Sequence, residues 1–308
     1  MFRFTSRRAH QAARALFSRG RLDEAEDLYQ RLLKAAPEDA LVHHDLGVLL
    51  FERGQVYEGM ERLKEALGRD STRAPFFRTM LAMLEDPGYQ AYLRAPFYGP
   101  FNGQQMRQRI FRGLIELTRP RTIFETGTFR GTTTEFVARA TDAHVFTCEI
   151  DVNYFDFATR RLGGLANVTV VHTDSRSFLR RYVPLFARAD AVSLFYLDAH
   201  WDKDDLPLLE ELRLVFEYAP RAVIMIDDFE VWDDPGYTFD DYGPTRRLGL
   251  GYLAPLAPFR PHYFFPRSSG EETGVRRGSV VLTTEPELAR LVATVPELRP
   301  APALAPAS

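Results

Sequence analysis

The segment Glu125-Thr-Gly-Thr-Phe-Arg-Gly-Thr-Thr-Thr134 follows the short apolar run Thr122-Ile-Phe-Glu-Thr126 and opens an amphipathic stretch. Strand, glycine turn and helix in that order form the unit at which α/β folds receive nucleotide-type ligands. Gly127 lets the backbone turn and approach a ligand, and Gly131 permits close strand–helix packing. The spacing is G-x-x-x-G, which speaks against the G-x-G-x-x-G turn of a nicotinamide-dependent oxidoreductase. A glycine pair of this kind also occurs in purely structural turns. The decision between the two readings lies further along the chain.

Outward from this turn, short apolar runs alternate with helical patterns. The runs are HVFTCEI at 144–150, VTVVHT at 168–173, AVSLFYLDA at 191–199 and AVIMIDD at 222–228. Each is too short for a buried helix and rich in β-branched or aromatic residues, so the expected fold is α/β, a Rossmann-like, doubly wound, mainly parallel sheet. A last run, SVVLTT at 279–284, comes after an Arg-Arg-Gly turn. HYFFP at 262–266 is placed to pair with it as an antiparallel edge.

The ends of these strands carry acids. Glu149 lies about twenty residues after the glycine turn, where a carboxylate can accept both hydroxyls of a ribose. Asp174 and Ser175 end the third run, within reach of a base. The fourth run ends Asp198-Ala-His200-Trp201-Asp-Lys203 and the fifth Asp227-Asp228. Adjacent parallel strands bring these ends side by side, and three converging carboxylates repel each other unless a cation intervenes. A hard divalent ion such as Mg²⁺ resolves the repulsion; the plainer alternative is that the acids cap the following helices. His200 and Lys203 are the candidate bases, and Trp201 a candidate pocket wall. Gln104 and Gln105 are placed to cover a ligand, and the segment from Asp233 to Pro244 to fold over the site as a lid.

This run of residues resembles the class I S-adenosylmethionine-dependent methyltransferases, and more narrowly the metal-dependent O-methyltransferases of the catechol and macrolide-sugar type. The resemblance extends from Gln104 to Glu285. It implies S-adenosylmethionine binding by Glu125, Gly127, Thr128, Gly131, Glu149, Asp174 and Ser175, with Glu125 near the cofactor's amino group. It also implies a Mg²⁺ site at Asp198, Asp227 and Asp228, and methyl transfer to a hydroxyl of a small or sugar-like acceptor. One departure concerns the base. Ala199 stands between the strand-four acid and His200, where the catechol enzymes have histidine directly after the acid.

Before this domain the chain repeats itself. LFSRGRLDEAEDLYQRLL from Leu16 aligns with LFERGQVYEGMERLKEAL from Leu50, so that Leu16, Phe17, Arg19 and Gly20 recur as Leu50, Phe51, Arg53 and Gly54. The small residue Ala25 matches Gly59, Tyr29 matches Leu63, and Pro37 closes the first unit. The pattern resembles the tetratricopeptide repeat, a helical hairpin, and implies a partner-binding groove, self-association or a packed extension. The expected organisation is helical hairpins over 1–70, a proline- and aromatic-rich linker over 71–102, the α/β domain over 103–296, and a disordered Pro/Ala tail over 297–308. A scaffold whose α/β domain has lost its chemistry is the competing reading.

The bulk composition narrows the partners. A net charge of −3 over 308 residues, with acids and bases interleaved, gives no reason to expect nucleic acid or an anionic membrane. A small-molecule substrate fits better. Cys148 is the single cysteine, which excludes an intrachain disulfide and agrees with a reducing compartment. The N-terminal MFRFTSRRAH has no apolar core of a secretory signal and no run reaches the ~20 residues of a membrane span, so the cytoplasm is expected.

Overall fold

In a computed structural model of the chain, residues 2–53, 55–83, 99–200, 205–243 and 245–301 are described. The chain divides into two compact units, Met1–Arg94 and Ala95–Ser308.

The first unit is helical: α1 Phe2–Ser18, α2 Leu22–Ala35, α3 Ala40–Glu52, α4 Val56–Arg69 and α5 Ala74–Met83. The repeat read from the sequence is the repeat of the hairpins. A Cβ on Gly59 would meet the Gly47 carbonyl oxygen at 2.9 Å, and a Cβ on Gly47 would meet the Gly59 carbonyl oxygen at 2.9 Å. Small residues therefore set how closely α3 and α4 approach, and fully buried Ala13 and Ala25 stand at the matching places of the preceding hairpin. Asp39 caps α3 by accepting from the Leu41 and Val42 amides. Buried Asp45 ties three helices together: it binds His10 of α1 at 2.9 Å and His44 at 2.9 Å, and His44 reaches Thr79 of α5 at 2.7 Å. Burial pushes the Asp45 carboxyl up, but its two histidine partners outweigh burial and bring it down to about 2. Helix α5 corrects the linker reading of 71–102. Pro75 sits in the first turn of this helix, where a missing amide costs nothing.

The second unit carries one sheet in the order β3-β2-β1-β4-β5-β7-β6-β8. The strands are β1 Thr122–Thr126, β2 His144–Glu149, β3 Val168–His172, β4 Ser193–Leu197, β5 Ala222–Asp227, β6 His262–Pro266, β7 Ser279–Thr283 and β8 Leu298–Pro300. Strands β1 to β5 are parallel; β7 runs antiparallel to β5 and to β6, as the pairing of HYFFP with SVVLTT anticipated. Strand β8 pairs antiparallel with β6 over 298–300 and corrects the expectation of disorder from 297 onward. A short backbone pairing closes the edge there, which composition does not report.

Period-two alternation divides the core between the two faces of the sheet. Phe124, Phe195 and Ile224 join α9 (Ser175–Phe186) and α10 (Leu208–Tyr218) on one face. Ile123, Leu194 and Val223 join α6 (Gln105–Thr118), α7 (Thr132–Arg139) and α11 (Pro286–Val292) on the other. Helix α8 (Val152–Leu162) connects β2 to β3. Phe146, Phe124 and Phe195 are paired in register across β2, β1 and β4 and stack at 5.5 and 5.0 Å. This rigid centre holds the C-terminal ends of β1 and β4, between which the strand order reverses. That crevice is where open α/β sheets bind ligands.

Candidate functional site

At the end of β1 the chain turns through Gly127 at φ +84°, and a Cβ there would lie 2.4 Å from the Asp198 carbonyl oxygen. The turn needs glycine for both reasons, conformation and the close approach to β4. Its amide and that of Thr128 both donate to the Cys148 carbonyl of β2, at 3.1 and 3.0 Å. Gly131, at φ +70°, faces Leu162 of α8, where a Cβ would lie 3.0 Å from Cδ1. The glycine pair thus fits β1 against β4 and α7 against α8.

Gly127, Glu149, Asp174 and Ser175 line one cavity of about 320 Å³, together with Ile150 and Ala199. Glu149 is almost fully buried and accepts from the Phe129 amide at 2.7 Å and the Asp151 amide at 2.9 Å, one on each carboxylate oxygen. Each oxygen keeps a second lone pair for a ligand. Burial raises its pKa against the pull of these amides. Asp174 caps α9 through the Ser177 amide at 2.9 Å. Thr128 and Gly131 are not in the lining. Glu125 is not there either: it points beneath the turn, accepts from Thr134 and from Thr147 at 2.6 Å, and is pushed by burial to about 7. It thereby ties the end of β1 to α7 and to β2.

Beyond Gly127 lies the acidic end of β4 and β5. Asp198, Asp227 and Asp228 do converge, but two cations unforeseen in the sequence are already present. Arg107 of α6, 1% exposed, forms an ion pair with Asp227 and donates to the Arg277 carbonyl and, at 3.1 Å, to the Gly278 carbonyl. Arg277, in the Arg-Arg-Gly turn before β7, pairs with both Asp228 and Asp240. Tyr196 donates to the second Asp227 oxygen, and the Asp228 amide to the first at 2.6 Å. Burial would raise the Asp227 pKa; Arg107, Tyr196 and the Asp228 amide hold it below the ordinary value. Asp227 Oδ1 is thus taken by Arg107 and the Asp228 amide, while Oδ2 accepts from Tyr196 alone. Repulsion among three acids does not by itself demand a metal here.

Asp198 lacks an arginine partner among the described residues. Burial, then Asp227 and Asp228, push its pKa well up. Burial and Asp227 push Asp228 to about 6, against Arg277. Asp228 also adopts φ +53°, a left-handed conformation that Asp tolerates better than most residues and that turns the chain out of β5. His200 is buried, with Nε2 at 3.0 Å from the Asp227 carbonyl oxygen and burial lowering its pKa. It is neutral near pH 7. Lys203 and Trp201 lie outside the described residues.

The segment after β5 is stapled over this end. The Tyr242 hydroxyl, with one proton to give, lies 2.6 Å from Asp240 and 3.0 Å from the His200 carbonyl oxygen, and the Asp240 amide donates to the Asp228 carbonyl at 2.9 Å. Gln104 departs from expectation. Fully buried, it exchanges two 2.8 Å hydrogen bonds with the Arg277 backbone, so it fixes the β7 approach instead of covering a ligand. Gln105 is exposed, with its amide bonded to Thr273.

Arg107 could have been found. It stands on the buried stripe Met106, Ile110, Phe111, Leu114 of α6, and a charge on such a stripe announces a buried partner. Glu211, on the stripe Leu208, Leu212, Val215 of α10, is a second such case. Arg277 gave no comparable signal.

Among known proteins, a tetratricopeptide repeat family model matches residues 10–84. No curated protein matches the chain. Of solved structures, the chain is similar to an O-methyltransferase from Bacillus cereus in complex with SAH, at 16% identity, 70% coverage of this chain, 94% of that one and a TM-score of 0.43. An O-methyltransferase from Streptomyces achromogenes involved in tomaymycin synthesis, in complex with SAM, shows 19% identity, 57% and 78% coverage and a TM-score of 0.40. The spermidine synthase of Thermotoga maritima shows 12% identity, 58% and 59% coverage and the same TM-score of 0.40. The family match thus belongs to the helical unit, and the chemistry of the α/β unit has to be argued from its own side chains.

Proposed function

We propose that the α/β unit transfers the methyl group of S-adenosylmethionine to a hydroxyl of a small or sugar-like acceptor, with a divalent ion at the acidic end. The observation that carries this reading is the cavity at the sheet's switch point, with a buried acid on one side and the β4 acid on the other. Glu149 offers two free lone pairs where a ribose diol is held, and Asp174 and Ser175 flank the place of a base. Ile150, 56% exposed, supplies an apolar surface at the same wall. Gly127, packed directly against the Asp198 backbone, joins the cavity lining to the end of β4. When bound, the cofactor supplies an electrophilic methyl on sulfur.

What remains for the chain is to place a hydroxyl oxygen in line with that methyl and take its proton. Asp198 and Asp228 form the anionic wall that orients the hydroxyl. His200 or Lys203 accepts the proton, and Asp240 and Tyr242, over the wall, are placed to meet further hydroxyls of a polyhydroxylated acceptor. The donor set of two carboxylates suits a divalent ion that favours the alkoxide or phenoxide form. The helical repeats are read as a surface for a protein partner or a second copy. No helix among the described residues is long and apolar enough to cross a membrane, and a buried free thiol at Cys148 fits the cytoplasm.

Calorimetric titration of the full chain with S-adenosylhomocysteine tests this reading. One site per chain is expected, weakened about 10- to 100-fold by Glu149→Gln, the effect of losing charge-assisted hydrogen bonds worth about 1.5–3 kcal/mol. No heat of binding, or equal affinity in the variant, refutes the assignment.

A further inference from the structure

The structure assigns the ion site to Asp198, His200 and Asp228, a set with one nitrogen and two oxygen donors that selects a borderline first-row divalent ion over Mg²⁺. The inference rests on the methyl-transfer reading for its purpose, but on its own geometry for its existence. One ligand atom from each of these three residues lies within 4.8 Å of the other two. Asp227, the acid that chain order would nominate, has both oxygens engaged by Arg107, Tyr196 and the Asp228 amide.

Charge agrees with this division. Asp198, Asp227, Asp228 and Asp240 bring four negative charges, and Arg107 and Arg277 bring two positive ones. Two negative charges are left over. A divalent ion neutralises them: Asp198 has no arginine among the described residues, and Asp228 must share Arg277 with Asp240, so the two carboxylate donors carry charge that the arginines do not fully cover.

His200 supplies the observation that does not depend on acids. It is 1% exposed, and its Nδ1 is buried with no hydrogen-bond partner among the described residues. Leaving such a nitrogen unmatched is costly unless another bond replaces what it has lost. Behind it stands Glu211 of α10, 0% exposed, whose two carboxylate oxygens also lack partners among the described residues. Each acts on the other: Glu211 favours the charged form of His200, and His200 that of Glu211. Ser175 and Thr126 favour the charged form of Glu211 too, without reaching hydrogen-bonding geometry. Neither side chain donates to the other: Nε2–H donates to the Asp227 carbonyl, a backbone partner that orients the ring, and Nδ1 is the nitrogen left for an ion. Imidazole suits zinc, copper, iron and nickel, whereas all-oxygen sets suit magnesium, calcium and manganese. With His200 holding the ion, Lys203 is left as the proton acceptor.

Cobalt(II) is the probe, because its visible bands shift and intensify when a protein site replaces its water ligands. The full chain, freed of metal with a chelator, is expected to bind one Co²⁺ with ligand-field bands that a hundredfold excess of Mg²⁺ does not remove. His200→Ala is expected to lose the bands and at least tenfold in affinity. Asp198→Asn, which removes one anionic donor, is expected to weaken Co²⁺ at least tenfold. Failure to bind Co²⁺, displacement by Mg²⁺, or unchanged binding in both variants overturns the site. Titration of the same samples with S-adenosylhomocysteine separates the two readings. Nucleoside binding without Co²⁺ binding defeats only the ion site, and Co²⁺ binding without nucleoside binding defeats only the cofactor assignment.

Discussion

Replacing Arg107 with methionine lowers the stability of the α/β unit by about 3–5 kcal/mol, the range for removing one member of a buried ion pair. Methionine approximates the length of the side chain, so little cavity is created and the loss reports charge and hydrogen bonds. Three contacts vanish together: the ion pair to Asp227 and the bonds to the carbonyls of Arg277 and Gly278. Asp227, 1% exposed, then keeps only Tyr196 and the Asp228 amide, and loses the largest influence that holds its carboxyl down against burial. Urea unfolding of the single and double variants checks this. Asp227→Asn added to Arg107→Met should recover part of the loss, because the unpaired anion is the larger share of it. A stability change under about 1 kcal/mol would show that Arg107 is not the counter-ion of this cluster. Lysine at 107 is expected to rescue poorly, since one ammonium cannot replace a planar fork reaching a carboxylate and two carbonyls.

The second large effect is on binding. Gly127→Val removes measurable affinity for S-adenosylhomocysteine, a loss of about 100-fold or more, equivalent to about 3 kcal/mol. Two costs coincide at this residue. A left-handed backbone costs an L-residue about 1–2 kcal/mol, more when it is β-branched. The new Cβ also meets the Asp198 carbonyl oxygen at 2.4 Å, so either the turn or the end of β4 must move. Movement of the turn breaks the pair of amides bonded to Cys148 and displaces Phe129, whose amide holds Glu149. Calorimetry reads the affinity, and a thermal melt distinguishes a closed cavity from an unfolded domain. Affinity within threefold of the parent protein would place the ligand elsewhere.

These two residues mark what the sequence discloses and what it hides. Strands β1 to β7 were legible because each is a short run rich in β-branched or aromatic residues, and β1, β4, β5 and β7 are buried along their whole length. The repeat was legible because two stretches that align at a fixed offset need no structural interpretation. Helix α5 and strand β8 were not, since proline-rich composition describes average behaviour and says nothing of a proline placed in a first turn or of a few residues added to an edge.

At the site, Gly127, Glu149, Asp174 and Ser175 meet as their positions at strand ends implied. The error lay in counting only the acids. Carboxylates gathered by parallel strands draw cations from anywhere in the fold. Arg107 comes from 120 residues before Asp227 and Arg277 from 49 residues after Asp228. Strand-end reasoning sees neither. Nor does it reveal that Glu125 is held by two threonines, Thr134 and Thr147.

The central claim is that the cavity between Gly127, Glu149 and Asp174 receives S-adenosylmethionine with its methyl directed toward Asp198. A crystal structure of the full chain with S-adenosylhomocysteine measures this directly. The account predicts density for the nucleoside in that cavity, its ribose hydroxyls on Glu149 and its sulfur on the Asp198 side of Gly127. An empty cavity at saturating ligand, or a nucleoside bound at another surface, would contradict it.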